Sequence, residues 1–536
     1  MSVMPLLQQL IEEGITLRVE AGQLKINAGP GKLTPALLEQ LKLHKQSIID
    51  FIADARQQVH AHASIPAIAR QDHYEISHAQ KRLFVLSHFE DSLIAYNCWT
   101  ANRLEGELNR PAFEKAFRVL IERHESLRTN ITIVEGEPRQ QVQAADAAGF
   151  RIQYADLRQE PDSAGQARRR IEYEARQPFD LERSPLFRVT LFHLSDHCHV
   201  FFFVAHHIIS DGWSAKVLVS EVIYFYNRFC RGEPGDLPPL RIHYKDYTAW
   251  QNRLLADEAQ TQTHRAYWLE QFRDVPKPLE PISDYPRPRT KTFNGGRICH
   301  HFGSPLDVAL HQFSLGYGVS KYMTLVAAMK ALLYRYTGQE DITIGASIAG
   351  RDHRELENQI GFYVNSLAIR TIFSGDNSFE VLLDQVKTNL INAYEHQMYP
   401  FDRLIEDLDL KRDMSRSPLF DVKVVFQNTE DLRSAGSVSL QDQLDGIAIS
   451  EFEASFTTSA YDLSVRFNQT GAGLEAEVIY NSDLFTRQRI EQIMDHYQTL
   501  LASVIGTPKQ VLSRLPYISE SEKKNILSRY RKTSAK

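Results

Sequence analysis

VFFFVAHHIISDGWS, residues Val200 to Ser214, carries the clearest structural pattern in this chain. Its first six residues are all apolar and predict a fully buried strand, with two histidines where that strand ends. Asp211 and Gly212 predict a turn, and Ser214 is placed to cap a helix that follows. We therefore expect the strand to carry imidazoles to a loop mouth, where catalytic groups commonly stand on rigid supports.

The adjacent histidines of this stretch cannot have the same role. Side chains alternate along a strand, so His206 and His207 are expected to point opposite ways, one towards a substrate and one into the structure. Asp211, if buried, needs a cation or several donors, and we expect an arginine. A polar corner with satisfied core histidines explains the same residues. No metal is expected, because adjacent histidines lack the i, i+4 spacing of HExxH helices.

Composition sets limits on the rest of the chain. A length of 536 residues predicts about three folding units, and 43% hydrophobic with 24% charged residues is typical of globular proteins. A net charge of −6 without a basic tract argues against nucleic acid as a partner. Four scattered cysteines, no signal peptide and no long apolar run predict a cytoplasmic protein without membrane contact.

The amino-terminal residues predict a small unit with the order helix, hairpin, two helices. Between residues 15 and 27, apolar and polar residues alternate in two runs on either side of Ala21-Gly22, which predicts a β-hairpin. Short hairpins leave edge strands to which a partner peptide can add. We therefore expect a binding function for this unit. The hairpin residues expected to serve docking are Thr16, Arg18, Glu20 and Lys25.

Further along, helical stretches alternate with strands, which predicts a mixed α/β body. A Pro-rich stretch at 232–240 marks a boundary between two lobes near residue 240. No repeat of fixed period is visible, although two lobes of one ancestral fold could hide a divergent duplication. The predicted divisions are a small unit at 1–56, a linker at 57–73, lobes at 74–240 and 241–515, and a further linker at 516–536.

HHIISDG at 206–212 resembles the HHxxxDG signature of nonribosomal peptide synthetase condensation domains, in the superfamily of chloramphenicol acetyltransferase. The resemblance covers roughly residues 74 to 515 and rests on further motifs in the family's order. These are SHAQKRLFVL from Ser77, RHESLRT from Arg123, YKDYTAW from Tyr244, IGFYVNSLAIR from Ile360, HQMYPFDRL from His396 and RDMSRSPLF from Arg412. The first 56 residues resemble a docking domain of the TubC type, and LPYISESEKKNIL resembles the lead-in to an adenylation domain.

The resemblance implies two acetyltransferase-like lobes in a V, with a tunnel that opens at both faces. Phosphopantetheine arms of donor and acceptor carrier proteins would enter from opposite ends and meet at His207. His206 and Asp211 carry over as structural or electrostatic support. Arg128 carries over as the partner of the aspartate.

Four further residues are assigned to the backbone turn or to the substrate tunnel. Gly212 is explained by close approach of the backbone to the pantetheine or a developing oxyanion, or by a turn, and the turn is preferred. Tyr363, Asn365 and Ser214 are placed along the tunnel. Packing between the lobes is the alternative for Tyr363 and Asn365.

The expected function is amide-bond formation between an acceptor aminoacyl thioester and a donor acyl or peptidyl thioester. An α-amine with a pKa near 8 is partly neutral at physiological pH, so attack requires positioning and a proton acceptor more than an enzyme nucleophile. His207 would remove the proton or hydrogen-bond the amine. An epimerisation domain and a noncatalytic recruitment domain of the same fold remain as alternatives.

The expected partners are other parts of a synthetase. They are the donor carrier of an upstream subunit, its carboxy-terminal docking peptide at the hairpin edge, and the acceptor carrier of the same module. No carrier motif such as GGxSL occurs, so both thioesters are expected to come from elsewhere. No cofactor is expected to bind directly.

Overall fold

The computed structural model describes residues 16–20, 23–27, 64–88, 93–146, 149–280, 283–410, 413–427, 444–454 and 456–524. The chain divides into two compact units, Met1–Pro66 and Ala67–Lys536. None of the described helices combines the length and the apolar composition needed to cross a membrane.

In the smaller unit the structure describes a hairpin. Strands β1 (Thr16–Glu20) and β2 (Gln23–Asn27) are antiparallel, with Arg18 opposite Lys25. The predicted hairpin is therefore confirmed, and in the described part of this unit each strand pairs only with the other. The helices predicted before and after it lie outside the described residues.

The larger unit alternates strands and helices, which confirms the predicted mixed α/β class. Its first half contains β3 (Tyr74–Glu75), α1 (His78–Leu86), β4 (Asn97–Glu105), α2 (Arg110–Arg123), β5 (Thr129–Val134), β6 (Glu137–Val142), β7 (Gln153–Asp156), α3 (Ser163–Ala175), β8 (Phe187–Ser195), β9 (Cys198–His206) and α4 (Gly212–Cys230). Its second half contains α5 (Tyr244–Ala256), α6 (Glu258–Gln271), β10 (Gly295–His301), α7 (Ser304–Gly316), α8 (Lys321–Thr337), β11 (Asp341–Ile348), β12 (Asn365–Ile372), α9 (Phe379–Glu395), α10 (Phe401–Asp407), β13 (Val422–Gln427), β14 (Ala448–Glu451), β15 (Leu463–Thr470), β16 (Gly473–Asn481) and α11 (Arg487–Gly506).

Each half has its own sheet and hydrophobic core. Five strands in the order β14-β4-β9-β8-β7 form the first sheet, and six in the order β10-β16-β15-β13-β11-β12 form the second. Strand β9 is central in its sheet, with antiparallel neighbours on both sides, and from residue 199 onward it is buried. This burial explains why its sequence is a continuous apolar run rather than an alternating one.

The two halves share a hairpin-plus-helix arrangement. In the first, β8 and β9 are joined by two residues (196–197), and five residues (207–211) lead from β9 to α4. In the second, β15 and β16 are joined by two residues (471–472), and five residues (482–486) lead from β16 to α11. Strands β9 and β16 are both nine residues long. The segment from β16 to α11 therefore has the same strand and connection lengths as the segment from β9 to α4.

One strand crosses between the halves. Although β14 comes late in the sequence, it pairs with β4 at the edge of the first sheet, with Ile449 opposite Leu104. Apolar residues around it, Leu444, Ile447 and Phe452, are buried in the first core. The segment 444–454 thus belongs structurally to the first half.

Candidate active site

The stretch 200–214 folds as a strand, a short turn and a helix. Strand β9 ends at His206, residues His207–Ile209 form one turn of 3-10 helix, and Asp211 is the N-cap of α4. The Oδ1 atom of Asp211 accepts the Ser214 backbone N–H at 2.7 Å. The strand and helix were correctly predicted, but the capping role of Ser214 was wrong, because Asp211 already satisfies the free N–H at that position.

His206 supports the structure. Its side chain is buried, and its Nδ1 accepts the backbone N–H of Ile208 at 3.1 Å, so the ring proton is on Nε2. Burial, and then the neighbouring His207, lower the pKa of His206 to about 3. A histidine that stays neutral at physiological pH lends no charge to a reaction, so the electrostatic role considered for His206 does not fit.

His207 is held from both sides. Its backbone N–H donates to the carbonyl oxygen of Tyr96 at 2.8 Å, and its ring Nδ1 lies 2.6 Å from the carbonyl oxygen of Ser210. A carbonyl only accepts, so Nδ1 carries a proton. The ring also lies 4.7 Å from the ring of Phe362, measured between centroids. These contacts, together with a hydrogen bond to the side chain of Cys98, orient the imidazole.

The surroundings of His207 favour its charged form. Burial lowers the pKa of His207, but the Cys98 thiol, the Asp211 carboxylate and the Ser210 carbonyl together raise it to about 9. Cys98 is an exposed free cysteine on β4, opposite Ala205 of β9. Its contact with His207 was not predicted, because only the strand register brings the two together.

Asp211 is the centre of a buried network between the two halves. Oδ1 accepts Nη2–H of Arg351 at 3.0 Å, and Oδ2 accepts the backbone N–H of Tyr363 at 3.1 Å. The Arg351 side chain is only 2% exposed and that of Asp211 is 0% exposed. An ion pair without water contact depends on complete pairing, which these bonds supply for the carboxylate.

The predicted pairing of Arg128 with Asp211 is wrong. Arg128 donates from Nε to the carbonyl oxygen of Ile121 at 3.2 Å and from Nη1 to that of Gln143 at 2.6 Å. Its guanidinium thereby ties α2 to the end of β6 and has no contact with the aspartate. The sequence showed that an arginine was needed, but the true partner lies 140 residues from Asp211, a separation that motif reading does not bridge.

Ser214 is not a tunnel residue. It is fully buried, and its Oγ lies 2.7 Å from Oδ1 of Asp211 and 2.8 Å from the carbonyl oxygen of Gly361. The backbone N–H of Gly361 and Nη2 of Arg351 both donate to the same oxygen. Ser214 thus joins α4 to the segment 351–363 of the second half.

The side chains of Tyr363 and Asn365 are both held by contacts within the second half, so packing between the lobes stays a prediction for them. Tyr363 is buried, with its hydroxyl donating to Gln359 at 2.8 Å and the Arg351 guanidinium 4.1 Å from its ring centre. Asn365 donates to the carbonyl oxygen of Tyr399 at 3.2 Å and accepts the backbone N–H of Phe401 at 3.1 Å. Both side chains are engaged in holding local structure.

Gly212 does not serve a left-handed turn. It is absent from the residues with positive φ, and a Cβ placed on it would meet nothing within 4 Å. Its equivalent in the second half is Arg487, also the first residue of a helix. The preferred turn explanation is therefore wrong, and the open space beside the Gly212 backbone fits the alternative, approach of a substrate.

A large cavity is connected to this corner through Tyr96. It has a volume of about 890 Å³ and lies between α1 of the first half and α10 with the following loop of the second. Tyr96, whose carbonyl holds His207, lines it together with Arg82, Lys291 and mainly apolar side chains. This volume lies in the range of small-molecule sites. Within the described ranges, no group of three or more His, Cys, Asp or Glu residues is arranged to hold a metal ion.

Two family models match the chain. The model of the Condensation domain matches residues 70–527, and the model of the TubC N-terminal docking domain matches residues 3–54.

Several curated proteins are similar in sequence. Gramicidin S synthase 2 of Brevibacillus brevis is 36% identical over 488 residues, which is 91% of this chain. Surfactin synthase subunit 1 of Bacillus subtilis (strain 168) is 36% identical over 86% of this chain, and bacitracin synthase 2 of Bacillus licheniformis is 34% identical over 98% of it. The matched regions are 10%, 12% and 19% of those three proteins, so the chain spans a small part of their length.

Solved structures share the fold. A chain of the complex of the X-domain and OxyB from teicoplanin biosynthesis superposes with a TM-score of 0.77 at 23% identity, over 85% of this chain and 99% of that one. The first condensation domain of the calcium-dependent antibiotic synthetase, in complex with a substrate analogue, gives 0.67 at 18% identity, over 84% of this chain and 100% of that one.

Proposed function

Because the chain belongs to the condensation-domain family of nonribosomal peptide synthetases, we propose that its larger unit joins two carrier-bound acyl groups through an amide bond. The observation that carries the proposal is the state of His207. Its Nδ1 is held by the carbonyl oxygen of Ser210, and Tyr96, whose carbonyl oxygen accepts the backbone N–H of His207, lines a cavity large enough for an acyl group.

The bond changes need little from the protein. The neutral amine of the acceptor attacks the thioester carbonyl carbon of the donor, and the carbonyl oxygen becomes an oxyanion. The carbon–sulfur bond then breaks, the amide forms, and the amine proton passes to the departing thiolate. Holding both reactants in line supplies much of the rate enhancement in such reactions, and no covalent enzyme intermediate is required.

His207 would act as a donor. With a pKa raised to about 9, most of its imidazole is protonated at neutral pH and cannot take another proton. A charged Nε2–H near the carbonyl would stabilise the oxyanion by a hydrogen bond and keep its proton while the amine proton passes to the thiolate. This role differs from both roles considered from the sequence, because a protonated imidazole neither removes the amine proton nor accepts a hydrogen bond from the amine.

The partners follow from the same family membership. Phosphopantetheine arms on the donor and acceptor carrier proteins would bring the two thioesters to the site. For the smaller unit, the match to a docking domain and the two-stranded hairpin support binding of an upstream subunit's carboxy-terminal peptide as an added strand. A chain that begins at Ala67 should lose preference for a carrier bearing that peptide and keep its activity with free carriers.

The test is amide formation measured by intact mass. The chain is mixed with a donor-loaded and an acceptor-loaded carrier, and the acceptor carrier is examined for the added acyl mass. A parallel reaction with only one aminoacyl carrier in deuterated water follows exchange of its α-hydrogen. Product in the first reaction supports condensation, exchange in the second would show epimerisation, and neither across varied acyl groups would favour noncatalytic recruitment.

A further inference from the structure

A second group of charged side chains lies around the phenol of Tyr461. Arg82 of α1 is hydrogen-bonded to this phenol. The Nζ atom of Lys291 lies 5.6 Å from the centre of the Tyr461 ring, and that of Lys423 lies 5.1 Å from it. Three cations from distant parts of the chain therefore meet at one aromatic side chain.

The two lysines of this cluster are not neutralised by acids. Lys291 donates to the carbonyl oxygen of Ala460 at 2.6 Å and to the hydroxyl of Ser417, both uncharged acceptors. Lys423 forms no ion pair with a described carboxylate, and neither does Lys291. An ammonium group has three N–H donors, so the two bonds of Lys291 leave one free.

The acids close to the cluster are already occupied. Each pairs with an arginine: Asp402 with Arg82 at 3.3 Å, Asp421 with Arg416 at 3.0 Å, and Asp462 with Arg287. Three further acids that line the cavity are exposed to solvent, namely Glu406, Asp409 and Asp413. The positive charge that no described carboxylate pairs with is therefore that of Lys291 and Lys423.

Tyr461 responds to this charge. Burial raises the pKa of a phenol, but Lys423, Arg82 and Lys291 outweigh that effect and lower the pKa of Tyr461 to about 8. A positive potential that favours a phenolate also favours any other oxyanion in the same place.

The cluster is accessible from the cavity beside the active site. Arg82 and Lys291 both line it, as does Tyr96, whose carbonyl oxygen holds His207. Val85 and Met414, on its wall, are half exposed and apolar. A chain entering the cavity would pass apolar side chains and meet the cations at its inner end.

We propose that Arg82, Lys291 and Tyr461, backed by Lys423, form a subsite for an oxyanion of the substrate, namely the carboxylate of an acidic acyl chain. The proposal rests on the proposed function, because that function supplies the acyl group. The phosphate of the pantetheine arm has the same oxyanion chemistry, and the experiment separates the two sources.

Binding is measured first, with probes that cannot react. Glutaryl-pantetheine, with an amide in place of the thioester, is compared with the glutaramyl analogue, which has a terminal amide of the same shape without the charge. We expect calorimetry on the full chain to show roughly tenfold or greater preference for the carboxylate, the size of a charge-assisted hydrogen bond. Equal affinities would overturn the proposal.

Absorbance of tyrosinate gives a second, independent measurement. The free protein should show one tyrosine that ionises near pH 8, and Tyr461→Phe should abolish this early step. Glutaryl-pantetheine should raise that pKa towards 10, whereas the glutaramyl analogue should leave it unchanged. An early step that survives in Tyr461→Phe would show that the cluster is not electropositive as described.

Charge-removing variants identify the subsite. Lys291→Met and Lys423→Met should each reduce the preference for the carboxylate to about twofold or less, while Lys423→Arg, which keeps the charge, should retain it. Lys277→Met is the matched control, because Lys277 is an exposed lysine between the lining residues Pro276 and Pro278 and should change nothing. If Lys423→Arg folds normally and still loses the preference, the charge argument fails.

The experiment that tests phosphate as the occupant compares phosphopantetheine with pantetheine, both without an acyl group. Phosphate-dependent binding that is lost in Lys291→Met would overturn the acyl carboxylate as the occupant. Turnover with an uncharged donor tests the proposed function separately. Loss of the carboxylate preference with normal turnover would reject only the subsite, and intact binding without turnover would reject only the reaction.

Discussion

The corner after β9 and the corner after β16 have the same backbone plan and different chemistry. Where the first has His206 as the last strand residue, the second has Asn481, which donates to the carbonyl oxygen of Thr292 at 2.9 Å and accepts the backbone N–H of Asp483. The first helix is capped by Asp211 and the second by Thr486. The shared backbone arrangement alone therefore does not create a candidate active site.

The two corners differ in which half of the larger unit their polar side chains bond to. Asp211 pairs with Arg351 across the two halves, and both side chains are excluded from water. The acid at the second corner, Asp284, pairs with Arg489 within the same half, with side chains 17% and 35% exposed. The polar side chains at the first corner therefore bond across the two halves, whereas those at the second bond within one half. The second corner only ends a strand.

The largest expected difference is between removing the imidazole at the first corner and removing the equivalent side chain at the second. His207→Ala should slow amide formation by about 10²- to 10⁴-fold, the usual contribution of a proton donor or acceptor, and the variant should still fold, with a melting temperature lowered at neutral pH because the stabilised imidazolium is gone. Ser482→Ala at the equivalent position should leave both unchanged. Intact-mass assays measure amide formation by the two variants, and thermal melts measure their stability. Full activity in His207→Ala would show that the two corners do not differ in chemistry.

The next effect concerns stability. Arg351→Met leaves the Asp211 carboxylate buried without its cation and should lower the free energy of unfolding by roughly 3–5 kcal/mol. Arg489→Met breaks a partly exposed pair and should cost about 1 kcal/mol or less. Arg128→Met is a further control, because it does not touch the aspartate. Denaturant titrations measure all three, and equal losses in Arg351→Met and Arg489→Met would contradict the difference in burial.

A moderate effect is expected from the thiol next to His207. Because the fold raises the pKa of His207 from 6.5 to about 9, the stabilisation of its protonated form is complete below pH 6.5 and is lost as the pH rises through 9. If the protonated ring is the active form, the rate falls over the same alkaline range. Cys98→Ala and Cys98→Ser should shift that fall to lower pH. A pH–rate profile that does not move would exclude Cys98 from tuning the site.

The smallest effect tests the open space at the start of α4. Gly212→Ala should fold at least as well as the natural protein and gain about 0.4–1 kcal/mol, because alanine loses less backbone entropy. The equivalent residue Arg487 shows that this backbone position accepts a side chain. A lower rate with unchanged or higher stability would indicate that a substrate packs against Gly212. An unchanged rate would mean that amide formation does not depend on a glycine at this position, as the second corner, with Arg487 there, has none.

The parts of the fold that depend on neighbouring residues were predictable from the sequence. The apolar run at 200–205 predicted the buried strand, and the alternation around residues 16–27 predicted the hairpin. The motifs indicated His207 as the reactive residue, and that assignment stays a prediction until it is tested.

Contacts made through tertiary structure were not predictable in the same way. Sheet register and the packing of one half on the other bring Arg351, Cys98 and Tyr96 to the site. A single amino-acid sequence carries no signal for either. The error with Arg128 has this cause, since RHESLRT is near the corner in sequence order while Arg351 is near it in space. Ser214 and Tyr363 were misplaced because burial at a junction and exposure in a tunnel favour similar residues.

The strand exchange at β14 limits how such chains can be recombined. A crossover point placed at the boundary predicted near residue 240 would give a hybrid whose first sheet takes its edge strand, and the core residues Leu444, Ile447 and Phe452, from a foreign parent. Hybrids that carry residues 444–454 with the first half keep both sets of native contacts. For the design of chimeric synthetases, the unit of exchange is therefore two separate stretches of sequence.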